Sequence, residues 1–218
     1  MGGARTVLRQ PWPRRAAGRA EPSRPAKTDE ELIEAVLRGD DRVTAELYAK
    51  LFPAVDRTLC RIFGGRDRDH EDMVQMAFEQ IISTIALQKF GRACSLTTWA
   101  SAVTTNVGLV ALRSRCRERK VVDRSGDIHQ TKPGEVPRYD IERQLGARDT
   151  IQRLQAALSD MSPRRAEILF LHDVAGLELS EIAVLTGAST AAVQSLLVRG
   201  RRELIARLSD AEPIEGLS

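Results

Sequence analysis

The sequence predicts an all-α protein of two small helical domains joined by a flexible linker, and three observations carry that prediction. Apolar residues recur at helical spacing (i, i+3, i+4, i+7), and no stretch alternates as a half-buried strand does. Aromatic residues are only 4% of the 218, so the cores are built from Leu, Ile, Val and Ala, which suits helices packed on helices. The stretch 123–145 holds Gly126, Pro133, Gly134 and Pro137 with little to bury, and it divides the chain. The organisation expected is a disordered basic arm over 1–27, a first helical domain over 28–122, the linker over 123–145, a second helical domain over 146–208 and a frayed tail over 209–218.

Each element follows from local chemistry. Residues 1–27 carry Arg5, Arg9, Arg14, Arg15, Arg19, Arg24 and Lys27 against Glu21, with four prolines and no apolar period, which makes them an arm. Thr28 and Glu31 have the spacing of a capping box, Leu32, Ile33, Val36 and Leu37 form the stripe behind it, and Gly39 ends the helix. A second helix over about 41–63 places Val43, Leu47, Leu51, Val55, Leu59 and Ile62 on one face, with Pro53 expected to kink or split it. After Gly64 and Gly65 a third helix, about 69–87, buries Val74, Ala77, Phe78, Ile81, Ile82 and Ile85. It leaves Glu71, Asp72, Gln75, Met76 and Glu79 on or near the other side.

Ser95 caps a fourth helix that turns Leu96, Trp99, Val103, Val107, Val110 and Leu112 inward and ends as a basic rod of Arg113, Arg115, Arg117, Arg119 and Lys120. Beyond the linker come a helix with Ile151, Leu154 and Leu158, then Ser162-Pro163 as N-cap and first helical residue of a helix with Ile168, Leu169 and Leu171. Last, Ser180 is expected to cap a short helix with Ile182, Ala183 and Leu185 inward, and Gly187 supplies a turn. A longer helix follows with Val193, Leu197, Leu204 and Leu208 inward and Arg199, Arg201, Arg202 and Arg207 along it. A short helix, a glycine turn and a second helix make a helix-turn-helix, whose second helix can enter a major groove while its arginines reach phosphates. An ordinary helical hairpin with solvated arginines shares the pattern.

The formal net charge is +3, distributed as basic blocks at 1–27 and 113–124 around an acidic stretch at 29–41, which suggests a defined polyanion-facing surface. Cys60, Cys94 and Cys116 form no CxxC pair, and His70, His129 and His172 lie far apart, so neither disulfides nor a metal site is expected. No phosphate loop, nucleophile elbow or catalytic triad pattern is present, which points away from an enzyme and from a cofactor. No apolar run approaches the roughly 20 residues of a membrane span. The reading is therefore a cytoplasmic protein with no membrane insertion.

Four stretches carry a resemblance: TDEELIEAVLRGD at 28–40, HEDMVQMAF at 70–78, SLTTWASAVTTNVGLVALRSRCRER at 95–119, and LSDMSPRRAEILFLHDVAGLELSEIAVLTGASTAAVQSLLVRGRREL at 158–204. In that order and spacing the chain from Thr28 to Leu208 resembles a bacterial sigma factor of the extracytoplasmic-function type, which keeps only the second and fourth regions of the larger sigma factors. The resemblance implies a transcription initiation factor. Asp72, Gln75, Met76 and Glu79 would dock on the clamp coiled coil of the largest subunit of RNA polymerase core. Asn106, Arg113, Arg115 and Arg117 would engage the melted minus-ten promoter element, with Trp99 in the core beside them. Gln194, Ser195, Leu196, Arg199 and Arg202 would face the minus-thirty-five element, and an anti-sigma factor would be a further partner.

The departures are as informative. Relatives commonly place basic residues where this chain has Gln194 and Leu196, so bidentate reading of guanine is absent there, while Gln194 suits adenine and Leu196 a thymine methyl. Met76 stands where an acid is usual. Two other readings share the pattern: a helix-turn-helix regulator that does not initiate transcription, and a decoy that binds polymerase without opening promoters.

Overall fold

The computed structural model describes residues 27–92, 94–125 and 138–210. The arm up to residue 26, the centre of the linker at 126–137 and the tail from 211 lie outside the described residues. What is described is helical, with no strand, as the apolar spacing predicts. It falls into two compact units: the described part of Met1–Leu59 with Arg66–Val107, and Cys60–Gly65 with the described part of Gly108–Ser218.

The first unit takes α1 (Asp29–Leu37), most of α2 (Asp41–Phe63), α3 (His70–Ala86) and the start of α4 (Leu96–Ser125). The capping box forms as read: Thr28 Oγ1 accepts from the Glu31 N–H at 3.3 Å, and the Glu31 carboxylate accepts from the Thr28 N–H at 2.8 Å. Leu32, Ile33, Leu47, Leu51, Val55, Leu59, Phe78, Ile81 and Ile85 are buried, and the Tyr48 ring lies 4.4 Å from that of Phe78. Leu37 corrects the α1 stripe, because it faces solvent and Ala35 takes the inward place. Pro53 does not split α2. Its missing N–H frees the carbonyl of Ala49, and both residues are exposed, so that oxygen lies on the solvent side of the helix.

Entry into α4 is fixed twice over. Ser95 Oγ accepts from the Thr98 N–H at 3.0 Å, and Asp29 of α1 accepts the Leu96 N–H at 2.8 Å while its other oxygen holds Lys50. Burial pushes the Asp29 carboxyl up, but Lys50 and the Leu96 N–H outweigh it and hold the group below its ordinary value. Trp99 is buried against Phe90, with ring centroids 5.1 Å apart.

The second unit contains the rest of α4, then α5 (Arg138–Asp160), α6 (Pro163–Leu169) running into a π-helical turn (Phe170–Val174), α7 (Leu179–Thr186) and α8 (Thr190–Asp210). Its core is Leu109, Leu112, Leu158, Ile168, Leu169, Phe170, Leu171, Ile182, Val193 and Leu197. Helices α6 and α8 approach closely at Gly200, where a Cβ would stand 3.4 Å from the Arg165 carbonyl oxygen.

Several expectations need correction here. Val110 is exposed and Leu109 is buried, because α4 passes into the second unit after Val107 and there buries a different face, that of Leu109, Leu112 and Cys116. Leu208 is exposed near the end of α8. The cap of α7 is Glu178 rather than Ser180: the Glu181 carboxylate accepts from the Glu178 N–H at 2.9 Å. Helix also enters the span read as linker, since α4 runs to Ser125 and α5 begins at Arg138.

Candidate nucleic-acid and polymerase interface

On α3 the spacing 72, 75, 76, 79 puts four side chains on one stripe opposite the buried face. Asp72, Gln75 and Met76 are exposed and Glu79 is half-buried, with Gln75 Nε2 donating to Glu79 Oε1 at 2.9 Å. The start of α3 is set by Asp56 on α2. That carboxylate takes a two-pronged pair from Arg66, at 3.0 and 2.7 Å, and bonds Nε2 of the buried His70 at 2.8 Å. Burial raises the Asp56 carboxyl, yet Arg66 and His70 together hold it below its ordinary value. The stripe is thus aimed by a charged clasp one turn before it.

Along α4, Asn106 is exposed within the first unit. The three arginines that follow belong to the second and are not equivalent. Arg117 is exposed, its Nε donating to the Arg113 carbonyl at 3.3 Å. Arg115 is half-buried, with its guanidinium carbon 4.4 Å from the centroid of the Phe63 ring. Arg113 is half-buried as well, and its Nε and Nη2 are buried without a hydrogen-bond partner among the described residues. Burial, then the neighbouring charge of Arg117, lowers its affinity for a proton, against a smaller opposing pull from Glu167. Cys116 is buried beside them, and Lys120 pairs with Asp160 at 2.9 Å.

The helix-turn-helix is built by α7 and α8. Gly187 closes α7 in the left-handed region (φ 63°), a conformation glycine takes without a side-chain clash. Ser189 Oγ then accepts from the Ala192 N–H at 3.2 Å and starts α8. Arg164 donates to the Thr186 carbonyl at 2.6 Å, bracing the turn from α6. Of the four arginines on α8, Arg201 pairs with Asp173, and Arg207 shares Glu203 with Arg165. Arg199 folds back on its own helix, donating to Ser195 Oγ at 3.0 Å and to the Ser195 carbonyl at 3.2 Å. Arg202 is exposed.

The expected reading residues divide accordingly. Gln194 and Ser195 are exposed, while Leu196 is half-buried. Sequence reasoning missed Val198, which stands 39% exposed four residues after Gln194. Its signal was the i, i+4, i+7 spacing from Ala191, read along the face opposite Val193 and Leu197. The braces Arg164 and Arg165 were also missed, because their partners lie 22 and 38 residues away.

A glycine-turned helix pair braced from behind, with a solvent-facing second helix, defines a protein of the helix-turn-helix class. Residues 47–118 match the family model for Sigma-70 region 2, and residues 151–204 match that for Sigma-70 region 4. The chain belongs to the sigma-70 family of bacterial RNA polymerase sigma factors, among those of extracytoplasmic-function type.

Among its relatives, the ECF RNA polymerase sigma factor SigG of Mycobacterium tuberculosis is 32% identical over 186 residues, covering 77% of this chain and 48% of SigG. The ECF RNA polymerase sigma factor SigE of Mycolicibacterium smegmatis is 29% identical, covering 64% and 52%. The chain thus spans about half the length of these curated relatives. The RNA polymerase sigma factor NccH of Alcaligenes xylosoxydans xylosoxydans is 27% identical over 84% of this chain and 96% of its own. A solved structure of CnrH in complex with the cytosolic domain of CnrY is 21% identical, covering 85% of this chain and 99% of that one at a TM-score of 0.49. No single helix among the described residues is long and apolar enough to cross a membrane.

Proposed function

We propose that this chain is a transcription initiation factor that binds RNA polymerase core and directs it to promoters. The observation that carries the reading is that region 2 and region 4 matches fall on one chain in that order, over the helices that bear the candidate surfaces. The α3 stripe of Asp72, Gln75, Met76 and Glu79 docks on the polymerase clamp coiled coil. Asn106 and the arginines of α4 engage the minus-ten element, since a separated strand needs positive charge and a place for an unstacked base. Helix α8 takes the minus-thirty-five element through Gln194, Ser195, Arg199 and Arg202, while the half-buried Leu196 lies off that face. The polymerase- and minus-ten-facing part is assigned to 28–122 and the upstream reader to 146–208, with 123–145 between them.

The chain acts in the cytoplasm, where polymerase and promoter meet, and carries no catalysis of its own. An anti-sigma protein is its regulatory partner. Run-off transcription with purified core polymerase tests the reading: RNA starting at a defined genomic site supports it. Duplex binding without initiation assigns the chain to the regulators instead, and polymerase binding alone makes it a decoy.

A further inference from the structure

The outward face of α8 is almost without charge where a major-groove helix touches bases. From Thr190 to Val198, its first two and a half turns, it holds Thr190, Ala191, Ala192, Gln194, Ser195 and Val198 on the exposed side and no cation. The first arginine, Arg199, is turned along the helix onto Ser195. Guanine offers two acceptors in the major groove and is read by paired donors of Arg or Lys. Adenine offers an acceptor beside a donor and is read by the amide of Gln or Asn, and thymine offers a methyl that is read by an apolar side chain. The face presents one amide and two apolar groups, Ala191 and Val198, one helical turn to either side of it.

Leu196 does not belong to that set. It is half-buried, and being two residues from Val198 it lies nearly on the opposite side of the helix. Val198 is 39% exposed, whereas Val193 and Leu197 close the core behind it.

Resting on the assignment of α8 to the upstream promoter element, we infer that this helix selects A·T pairs, with Gln194 on an adenine and Val198, flanked by Ala191, on thymine methyls. Specificity then comes from methyl contact and one amide pair rather than from guanine recognition. Loss of one buried methyl corresponds to about a fourfold change in affinity. Loss of the amide pair corresponds to about five- to 160-fold discrimination at its base.

The test uses the full chain assembled with core polymerase and promoter duplexes randomised over the upstream element, first to select bound sequences and then to replace single thymines of a selected site by deoxyuridine, which removes only the methyl. The expected result is an A·T-rich site in which one or two thymines lose about fourfold on replacement. Val198→Ala abolishes that loss, and Gln194→Ala relaxes one adenine position. Both side chains are exposed, and melting curves confirm that the variants fold. Selection of guanine-centred sites, or deoxyuridine sensitivity that survives Val198→Ala, overturns this inference while leaving the groove assignment standing. No enrichment over the starting pool overturns the assignment and the inference together.

Discussion

Arg113 joins stability to function with opposite signs. In the free chain its guanidinium is half-buried, two of its nitrogens have no hydrogen-bond partner among the described residues, and Arg117 repels it from one turn away. Each unmade hydrogen bond of a buried group costs about 1–3 kcal/mol, against which the nearby Glu167 returns part. Arg113→Met keeps the length of the side chain and removes the charge, and replacing a poorly paired buried cation by an apolar group is commonly neutral to stabilising. The expected outcome is a gain of about 1 kcal/mol, read as a rise of about 4–8 °C in the melting temperature of a domain of this size. Arg117→Met, at an exposed position, should stay within about 0.5 kcal/mol. On DNA the order changes. If Arg113 meets a phosphate of the minus-ten region, Arg113→Met lowers the slope of log affinity against log salt by about 0.7–0.9. A loss of 2 kcal/mol or more on Arg113→Met would show that the guanidinium is satisfied in the fold. An unchanged salt slope would sever it from DNA.

Other expected outcomes follow from the same geometry. Asp56→Asn leaves the buried His70 with a weaker partner and should cost about 1–3 kcal/mol, while Arg66→Gln, which breaks the exposed side of the same clasp, should cost at most about 1 kcal/mol; thermal melts of the two separate them, and equal losses would refute the ranking. Asp29 titrates below the ordinary value near 3.9 in the folded chain, so its contribution is present at neutral pH and is lost as pH falls through the folded value; stability followed from pH 6 to pH 2 should fall less steeply in Asp29→Asn than in the parent chain. Gly200→Ala adds a Cβ that meets Arg165 at ordinary contact distance and gains helix propensity, for a stabilisation of up to about 1 kcal/mol; a loss in urea melts would mean that α6 and α8 cannot give the few tenths of an ångström needed.

How far the sequence reveals this molecule depends on the range of each interaction. The Thr28 cap, the glycine that closes α7 and the two faces of α3 are decided within one or two turns, and all are where the residues indicate. The α7 cap was misassigned to Ser180 because serine is the stronger cap by habit. Here the Glu181 carboxylate reaches back to the Glu178 N–H at the same i, i+3 spacing. The inward face of α4 is not one stripe: the helix serves the first unit up to Val107 and the second from Gly108, and the face it buries changes there, which a single apolar count begun at Leu96 cannot follow. Least legible were the arginines. One composition, a run of cations at the end of a helix, yields an exposed Arg117, an Arg115 laid on Phe63 and a half-buried Arg113 with two nitrogens unpartnered among the described residues, and the difference is made by residues far along the chain.

The same division of labour explains how α8 can be both well braced and neutral. Three of its arginines are engaged, Arg201 by Asp173 outside the helix and Arg207 and Arg199 by Glu203 and Ser195 within it, so part of the charge that a sequence count credits to DNA binding is spent on the fold. Arg199 and Arg202 are exposed and face no carboxylate among the described residues, so α8 keeps only a small share of the sequence-independent attraction that usually supplies affinity. Its free-standing affinity should therefore be weak and its salt dependence shallow. Useful occupancy then requires that polymerase and the minus-ten contacts already hold the module beside its element, where linkage converts a weak intermolecular contact into an intramolecular one at an effective concentration of about millimolar. A neutral reader on a tethered module favours discrimination over grip: wrong sequences gain nothing from phosphate contact, and correct ones need only the methyl and amide contacts to be retained.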